Sequence, residues 1–130
     1  MADTVSTQTI ADTAGVKYVI KMTNLSDGSG ETNVKKIDAS ETVFMTEDGE
    51  RAVARVYYSI NASDNKSGVE LVWDGATNAT ALFLSGQGVI DLRTDGNSFK
   101  NNATTPTGDV LLSTKNFANG DNYSLIVEFR

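Results

Sequence analysis

Tyr123-Ser124-Leu125-Ile126-Val127-Glu128-Phe129 is the stretch that decides the fold. Large apolar side chains stand at every second position, and Ser124 and Glu128 occupy positions between them. Successive side chains of a β-strand point to opposite faces, so this pattern predicts a strand with one face in a core and the other in water. Ile126 is the exception on the outer face.

The same alternation recurs along the chain, and glycine-containing turns such as residues 26–30 and 48–49 separate its segments. No segment has sustained helical spacing. We therefore predict an all-β fold over residues 16–130, a single antiparallel β-sandwich or barrel of roughly eight strands. The residues expected to be buried are Tyr18, Ile20, Val56, Tyr58, Leu71, Trp73, Leu125 and Val127.

Residues 1–15 differ from the rest because they are polar, rich in threonine and only weakly alternating. They contain few large apolar side chains, so we predict an N-terminal arm outside the core, loosely held until it is ordered on a neighbouring subunit. β-Branched side chains suit addition to an exposed sheet edge. The candidate interface residues of the arm are Thr4, Val5, Thr7, Thr9 and Ile10.

The composition narrows the possible functions. The chain has 130 residues, a formal net charge of −6, no cysteine and no histidine. It therefore lacks a thiolate nucleophile, a disulfide, and the usual base and metal ligand near neutral pH. The negative charge disfavours nucleic acid as a partner, because phosphates would be repelled. There is no secretory signal and no apolar run long enough for a bilayer, so no membrane partner is expected.

Carboxylates are the only plausible acid or base groups. Glu70, Asp74 and Asp91 fall on outer strand faces or at turns, where solvation and turn chemistry account for them. We therefore predict that the protein is not an enzyme and has no catalytic residues, no cofactor and no bound metal.

Two acidic stretches have a second interpretation. Residues 27–31 carry oxygens at alternating positions, which could suggest calcium, but they do not fit the EF-hand pattern and a hairpin turn is favoured. Asp91, Arg93 and Asp95 could likewise form a site, although an exposed charge ladder is the preferred interpretation.

Four aromatic residues could form a sugar-binding platform. Trp73 and Tyr58 fall on the apolar faces of their strands, so core packing is expected for them. Tyr57 and Phe83 are better candidates for contact with another subunit. The longest predicted loop, residues 97–109, holds the single proline, Pro106, which completes the set of candidate interface residues.

Several stretches together resemble small structural proteins of tailed bacteriophage particles, particularly those of marine and cyanobacterial phages. The stretches are residues 17–24 (KYVIKMTN), 26–31 (SDGSGE), 69–74 (VELVWD), 107–112 (TGDVLL) and 123–129 (YSLIVEF). The resemblance implies a β-sandwich or barrel, self-association, and docking on a protein lattice. It transfers no functional residues, because the similar segments are structural.

The resemblance and the composition together lead us to expect a capsid decoration (cement) protein. It would be made in the cytoplasm of the bacterial host and would lie on the outer capsid surface of the virion. Its partners would be the major capsid protein and further copies of itself. Two alternatives stay open: a tail or fibre component, and a carbohydrate-binding module, which a row of solvent-facing aromatics would favour.

Overall fold

A computed structural model describes residues 3–93 and 99–130 of the chain. Over these residues it contains two antiparallel sheets, one of six strands and one of four. The strands are β1 (Thr4–Thr13), β2 (Lys17–Asp27), β3 (Val34–Ile37), β4 (Ala52–Asn61), β5 (Gly68–Thr77), β6 (Ala79–Leu84), β7 (Gln87–Asp91), β8 (Phe99–Lys100), β9 (Thr104–Lys115) and β10 (Asn119–Phe129). The larger sheet has the order β1-β2-β10-β4-β7, with β8 also on β4, and the smaller has the order β3-β9-β5-β6.

The strand that decides the fold lies inside the larger sheet. β10 pairs with β2 on one side and β4 on the other, so Leu125 is opposite both Met22 and Tyr58. The alternate side chains Tyr123, Leu125, Val127 and Phe129 are all buried. The smaller sheet contributes the ring of Trp73, whose centroid is 6.1 Å from that of Phe129. The two inner faces thus form one core, and the predicted antiparallel β-sandwich is confirmed; the barrel alternative is not, because the sheets do not close.

Residues 3–93 and 99–130 form ten strands, where the alternation predicts roughly eight. The additions are β1, in the predicted arm, and the two-residue β8. Residues 43–45 form an apolar stretch that is not a strand, although Phe44 and Met45 are buried. Seven of the eight expected core residues are buried. The eighth, Tyr58, is half-buried because it lies opposite Gly88 near the sheet edge.

The prediction of a loop at residues 97–109 is wrong, because much of this range lies in strands β8 and β9. Residues 94–98 lie outside the described part, and β9 already begins at Thr104. Pro106 is a strand residue opposite Gly75 of β5. Proline has no N–H to donate, but among the described residues β3 pairs only with residues 110–112 of β9, which leaves one side of β9 without a partner strand at Pro106.

The N-terminal segment is an edge strand of this chain's own sheet. β1 pairs with β2 from Thr4 opposite Leu25 to Thr13 opposite Lys17, and none of its side chains is buried.

An aspartate carboxylate at each end of β1 accepts backbone N–H groups from neighbouring segments. Asp3 Oδ1 accepts the backbone N–H groups of residues 27 and 30, and Asp12 Oδ1 accepts that of Phe44 at 2.9 Å. Residues 4–13 therefore bury no side chain, but backbone pairing and two polar anchors hold them on this chain's own sheet, whereas the sequence led us to expect a loosely held arm that is ordered on a neighbouring subunit.

Helical structure is limited, in residues 3–93 and 99–130, to one 3-10 turn at Ala39–Glu41. Asp38 caps it by accepting the N–H of Ser40. No helix in this part of the chain is long and apolar enough to cross a membrane.

Gly108 provides a sharp test of the packing between β9 and the loop before β4. Its φ is +84°, and a Cβ added there would overlap the carbonyl oxygen of Thr46. Gly86 is the matched control, because its φ of +71° is similar while nothing lies within 4 Å of an added Cβ. In urea denaturation we expect Gly86→Ala to lower the free energy of unfolding by about 1 kcal/mol and Gly108→Ala by roughly 2–5 kcal/mol. Equal losses for the two variants would contradict this packing.

Candidate interaction surfaces

The outer face of the six-stranded sheet carries a row of one lysine and three apolar residues that crosses four strands. The strand registers place Lys21, Ile126, Tyr57 and Val89 side by side on β2, β10, β4 and β7. Val89 is 56% exposed and Tyr57 38% exposed, while Ile126 is half-buried. A shallow depression of about 230 Å³ adjoins this row. We call these four residues the outer row.

Charged residues border the outer row. Arg55 lies 2.8 Å from Glu128 through Nη2 and Oε1, and its Nη1 donates to the Tyr57 hydroxyl at 3.0 Å. Arg93 forms a two-point contact with Asp91 at 3.0 and 2.9 Å. These hydrogen bonds lower the pKa of Asp91 to about 2. The Arg55 guanidinium also lies 4.9 Å from the centre of the Tyr57 ring, which steadies the aromatic side chain at the surface.

The four-stranded sheet presents a different apolar group. Phe83 on the edge strand β6 is 66% exposed. It adjoins a depression of about 250 Å³ whose wall also includes Lys66 and Lys115. Pro106 is half-buried on β9, where a side chain added at Gly49 would collide with its ring. The structure therefore places Phe83 and Pro106 on the sheet opposite Tyr57.

The long edge of β1 gathers the remaining candidate residues. Thr4, Val5, Thr7, Thr9 and Ile10 all lie on it, and residues 4–11 carry no charge. Val5 and Ile10 are 47% and 53% exposed. An exposed edge strand without lysine, proline or an inward charge is open to pairing with another strand. The edge strand β6 is also uncharged but shorter, and β3 carries Lys35 and Lys36.

The acidic stretches are engaged within the chain. Glu70 accepts a hydrogen bond from Thr80 and forms an ion pair with Lys115, and Asp74 accepts a hydrogen bond from Thr107.

Residues 27–31, which carry oxygens at alternating positions, form a turn. Asp27 accepts the backbone N–H of Ser29 there. Across the described residues no group of three or more acidic side chains is arranged to bind a metal ion. Asp91 and Arg93 form the expected ladder pair; Asp95 lies outside the described residues.

A buried polar cluster between the sheets is absent from the sequence predictions. Glu31 Oε2 is 2.5 Å from Lys36 Nζ, and both side chains are about 5% exposed. Glu31 Oε1 accepts from the Tyr123 hydroxyl and from Asn24 Nδ2, each at 2.6 Å. Burial and the bond to Glu31 raise the pKa of Tyr123 far above its ordinary value, so its hydroxyl stays neutral. We call Glu31, Lys36, Asn24 and Tyr123 the inter-sheet cluster.

The sequence offers one clue to this cluster, and it is ambiguous. Lys36 and Lys35 break the alternation of β3, but sequence alone does not tell which of two adjacent lysines is buried. In the structure a bulge between Lys35 and Ile37 turns Lys36 inward, while Lys35 pairs with Asp109 at the surface. Which of the two lysines is buried therefore depends on tertiary packing.

Comparison with known proteins adds no constraint. No protein-family model matches the chain, and no match is found among curated proteins or among solved structures.

Asp91 provides a test of the charged border. Its lowered pKa means that its contact with Arg93 stabilises the fold above the unfolded pKa of about 3.9, and that this contribution is lost as the pH falls toward about 2. In an NMR titration we expect the Asp91 carboxyl to have its midpoint near 2. Arg93→Gln should raise it toward about 3.9. The titration of Asp48, which contacts Glu50 instead, should not change. An unchanged Asp91 midpoint in the variant would contradict the ion pair.

Proposed function

We propose that the protein is a structural component of a bacteriophage particle, and specifically a decoration protein that cements the outer surface of the capsid. The assembly part of this proposal rests on one observation: an acidic chain presents a long edge strand, residues 4–11 of β1, without any charge. The phage particle is suggested by the resemblance of its strand-and-turn segments. No residue role is taken from that resemblance.

The charge distribution supports assembly through defined surfaces. A net charge of −6 opposes random contact between copies and suits a water-facing shell better than a DNA-facing interior. Contacts between subunits are then favoured where charge is missing, at the β1 edge and at Ile126, Tyr57 and Val89 of the outer row. Several weak contacts of this kind add by avidity when one assembly bridges several capsid subunits.

The arrangement of aromatics favours protein over sugar as the partner. Tyr57 and Phe83 are the exposed aromatic side chains among those the structure describes, and they lie on opposite sheets. The neighbours of Tyr57 along its row are the aliphatic Ile126 and Val89 rather than further rings. A sugar-binding platform requires stacking rings along one face, and this pair does not supply them.

Purified particles provide the first test. We expect hundreds of copies relative to the major capsid protein, and particles that lack the protein should form but break at lower temperature than complete ones. This follows because a ligand that binds only the assembled shell stabilises that shell by mass action. A few copies confined to the tail would replace the cement proposal by the tail-component alternative. Equal robustness of the two kinds of particle would also refute cementing.

A matched pair of variants tests the surface. Thr7→Lys places a charge in the middle of the β1 edge, and Thr77→Lys makes the same exchange at an exposed position of the other sheet. Both should keep the β-type circular dichroism spectrum. We expect Thr7→Lys to weaken binding to shells lacking the protein by about tenfold, roughly 1.4 kcal/mol, and Thr77→Lys to bind normally. Normal binding by Thr7→Lys would exclude the β1 edge from the contact.

A further inference from the structure

The inter-sheet cluster places an amine and a carboxamide on the two oxygens of one carboxylate. Lys36 Nζ is 2.5 Å from Glu31 Oε2, and Asn24 Nδ2 is 2.6 Å from Glu31 Oε1. Lys36 belongs to β3 of the smaller sheet and Asn24 to β2 of the larger one. A nucleophile and an electrophile from different sheets thus meet at a single proton-accepting group.

The carboxamide of Asn24 is almost fully buried beside two carboxylates. Its nitrogen donates to Asp3 Oδ2 at 3.0 Å as well as to Glu31, so two carboxylates contact the atom that would leave. Its oxygen is buried and has no hydrogen-bond partner among the described residues. The whole side chain is only 2% exposed. A buried amide without a donor for its oxygen lacks the stabilisation that such a group normally has.

We propose that Lys36 and Asn24 join covalently, through an amide bond that the folded chain forms by itself with Glu31 as the proton-transfer group. Glu31 Oε2 takes a proton from the Lys36 ammonium, and the freed amine attacks Asn24 Cγ. The new Cγ–Nζ bond forms as the Cγ–Nδ2 bond breaks. Glu31 returns that proton to the departing nitrogen, which leaves as ammonia, and its carboxylate then takes the second proton that Nζ loses on becoming an amide nitrogen. No oxidant, metal or cofactor is required, and the reaction occurs once per chain.

The surroundings of the cluster favour this step. Burial of Lys36 and Glu31 to about 5% exposure keeps out water that would compete for the amine. The Tyr123 hydroxyl donates to Glu31 Oε1 at 2.6 Å and fixes the carboxylate between its two partners. Groups positioned within one fold react as if at very high concentration, which is how an otherwise slow amide exchange becomes feasible.

The bond would have a structural purpose. It would tie β2 to β3, and therefore one sheet of the sandwich to the other, in a chain that has no cysteine for a disulfide. A covalent link between residues 24 and 36 restricts the unfolded chain in the same way as a disulfide of similar loop length. The proposal depends on the folded chain alone, so it can fail or succeed independently of the proposed role in a phage particle.

Mass spectrometry of the purified, full-length protein tests the bond. The intact mass should be lower than the sequence mass by one molecule of ammonia. After trypsin digestion, the peptide of residues 22–35 should be attached to the peptide of residues 36–51, with the link mapped to Asn24 and Lys36. A full sequence mass would refute the proposal. Loss of ammonia located in a cyclised asparagine, without joined peptides, would refute it as well.

Three variants separate the chemistry from folding. Lys36→Arg keeps the positive charge beside Glu31 but removes the amine nucleophile, and Glu31→Gln keeps the side-chain shape but removes the proton acceptor. Both should show the full sequence mass and unlinked peptides. Lys35→Arg is the matched control, since Lys35 contacts Asp109 at the surface, and it should lose ammonia as the natural chain does. Circular dichroism should show a β-type spectrum for all three.

The variants also define what would overturn the assignment. Persistence of the joined peptides in Lys36→Arg would mean that another amine reacts. Persistence at an undiminished rate in Glu31→Gln would mean that Glu31 is not the proton-transfer group. If either variant fails to fold, the intact mass and peptide map of the natural chain still decide whether the bond exists.

Discussion

The rest of the structure depends on the packing of β10 against Trp73. β10 has neighbours on both sides in the larger sheet, and its inward side chains meet the smaller sheet through the contact between Phe129 and Trp73. With no cysteine in the chain, apolar burial between these two faces supplies the main stabilising free energy. The strand order places β1 at one edge of the larger sheet, where its side chains gain little burial and stay accessible.

The inter-sheet cluster is a costly feature in such a core. Removing an ammonium and a carboxylate from water carries a desolvation penalty of several kcal/mol for each ion, and a close contact offsets it only when the remaining hydrogen-bonding groups are satisfied. Tyr123 and Asn24 satisfy one oxygen of Glu31, and Lys36 contacts the other. Hydrophobic side chains of similar size would often stabilise a fold equally well. A chemical or specifying role for the cluster gives a reason for its presence.

The surfaces divide into charged and uncharged regions that suit different roles. Ion pairs such as Arg55 with Glu128 border the outer row and keep it from being a continuous apolar patch. The β1 edge instead offers unpaired backbone groups and uncharged side chains, which favour recognition by strand addition. The proposed role in an assembly would use both, because charge opposes random contact while the uncharged edge allows one defined contact.

The sequence by itself determined the fold class and seven of the eight residues that it predicted to be buried. These features follow from local alternation, because a period of two assigns each side chain of a strand to a face without knowledge of its partners. It also indicated Tyr57 and Phe83 as surface aromatics, and the structure leaves both exposed. Only tertiary structure decided that residues 4–13 pair with β2, that Pro106 lies in a strand, and that Lys36 rather than Lys35 is buried. Pairing partners, bulges and the meeting of Asn24, Glu31 and Lys36 depend on how distant strands align, and no short stretch of sequence contains that information.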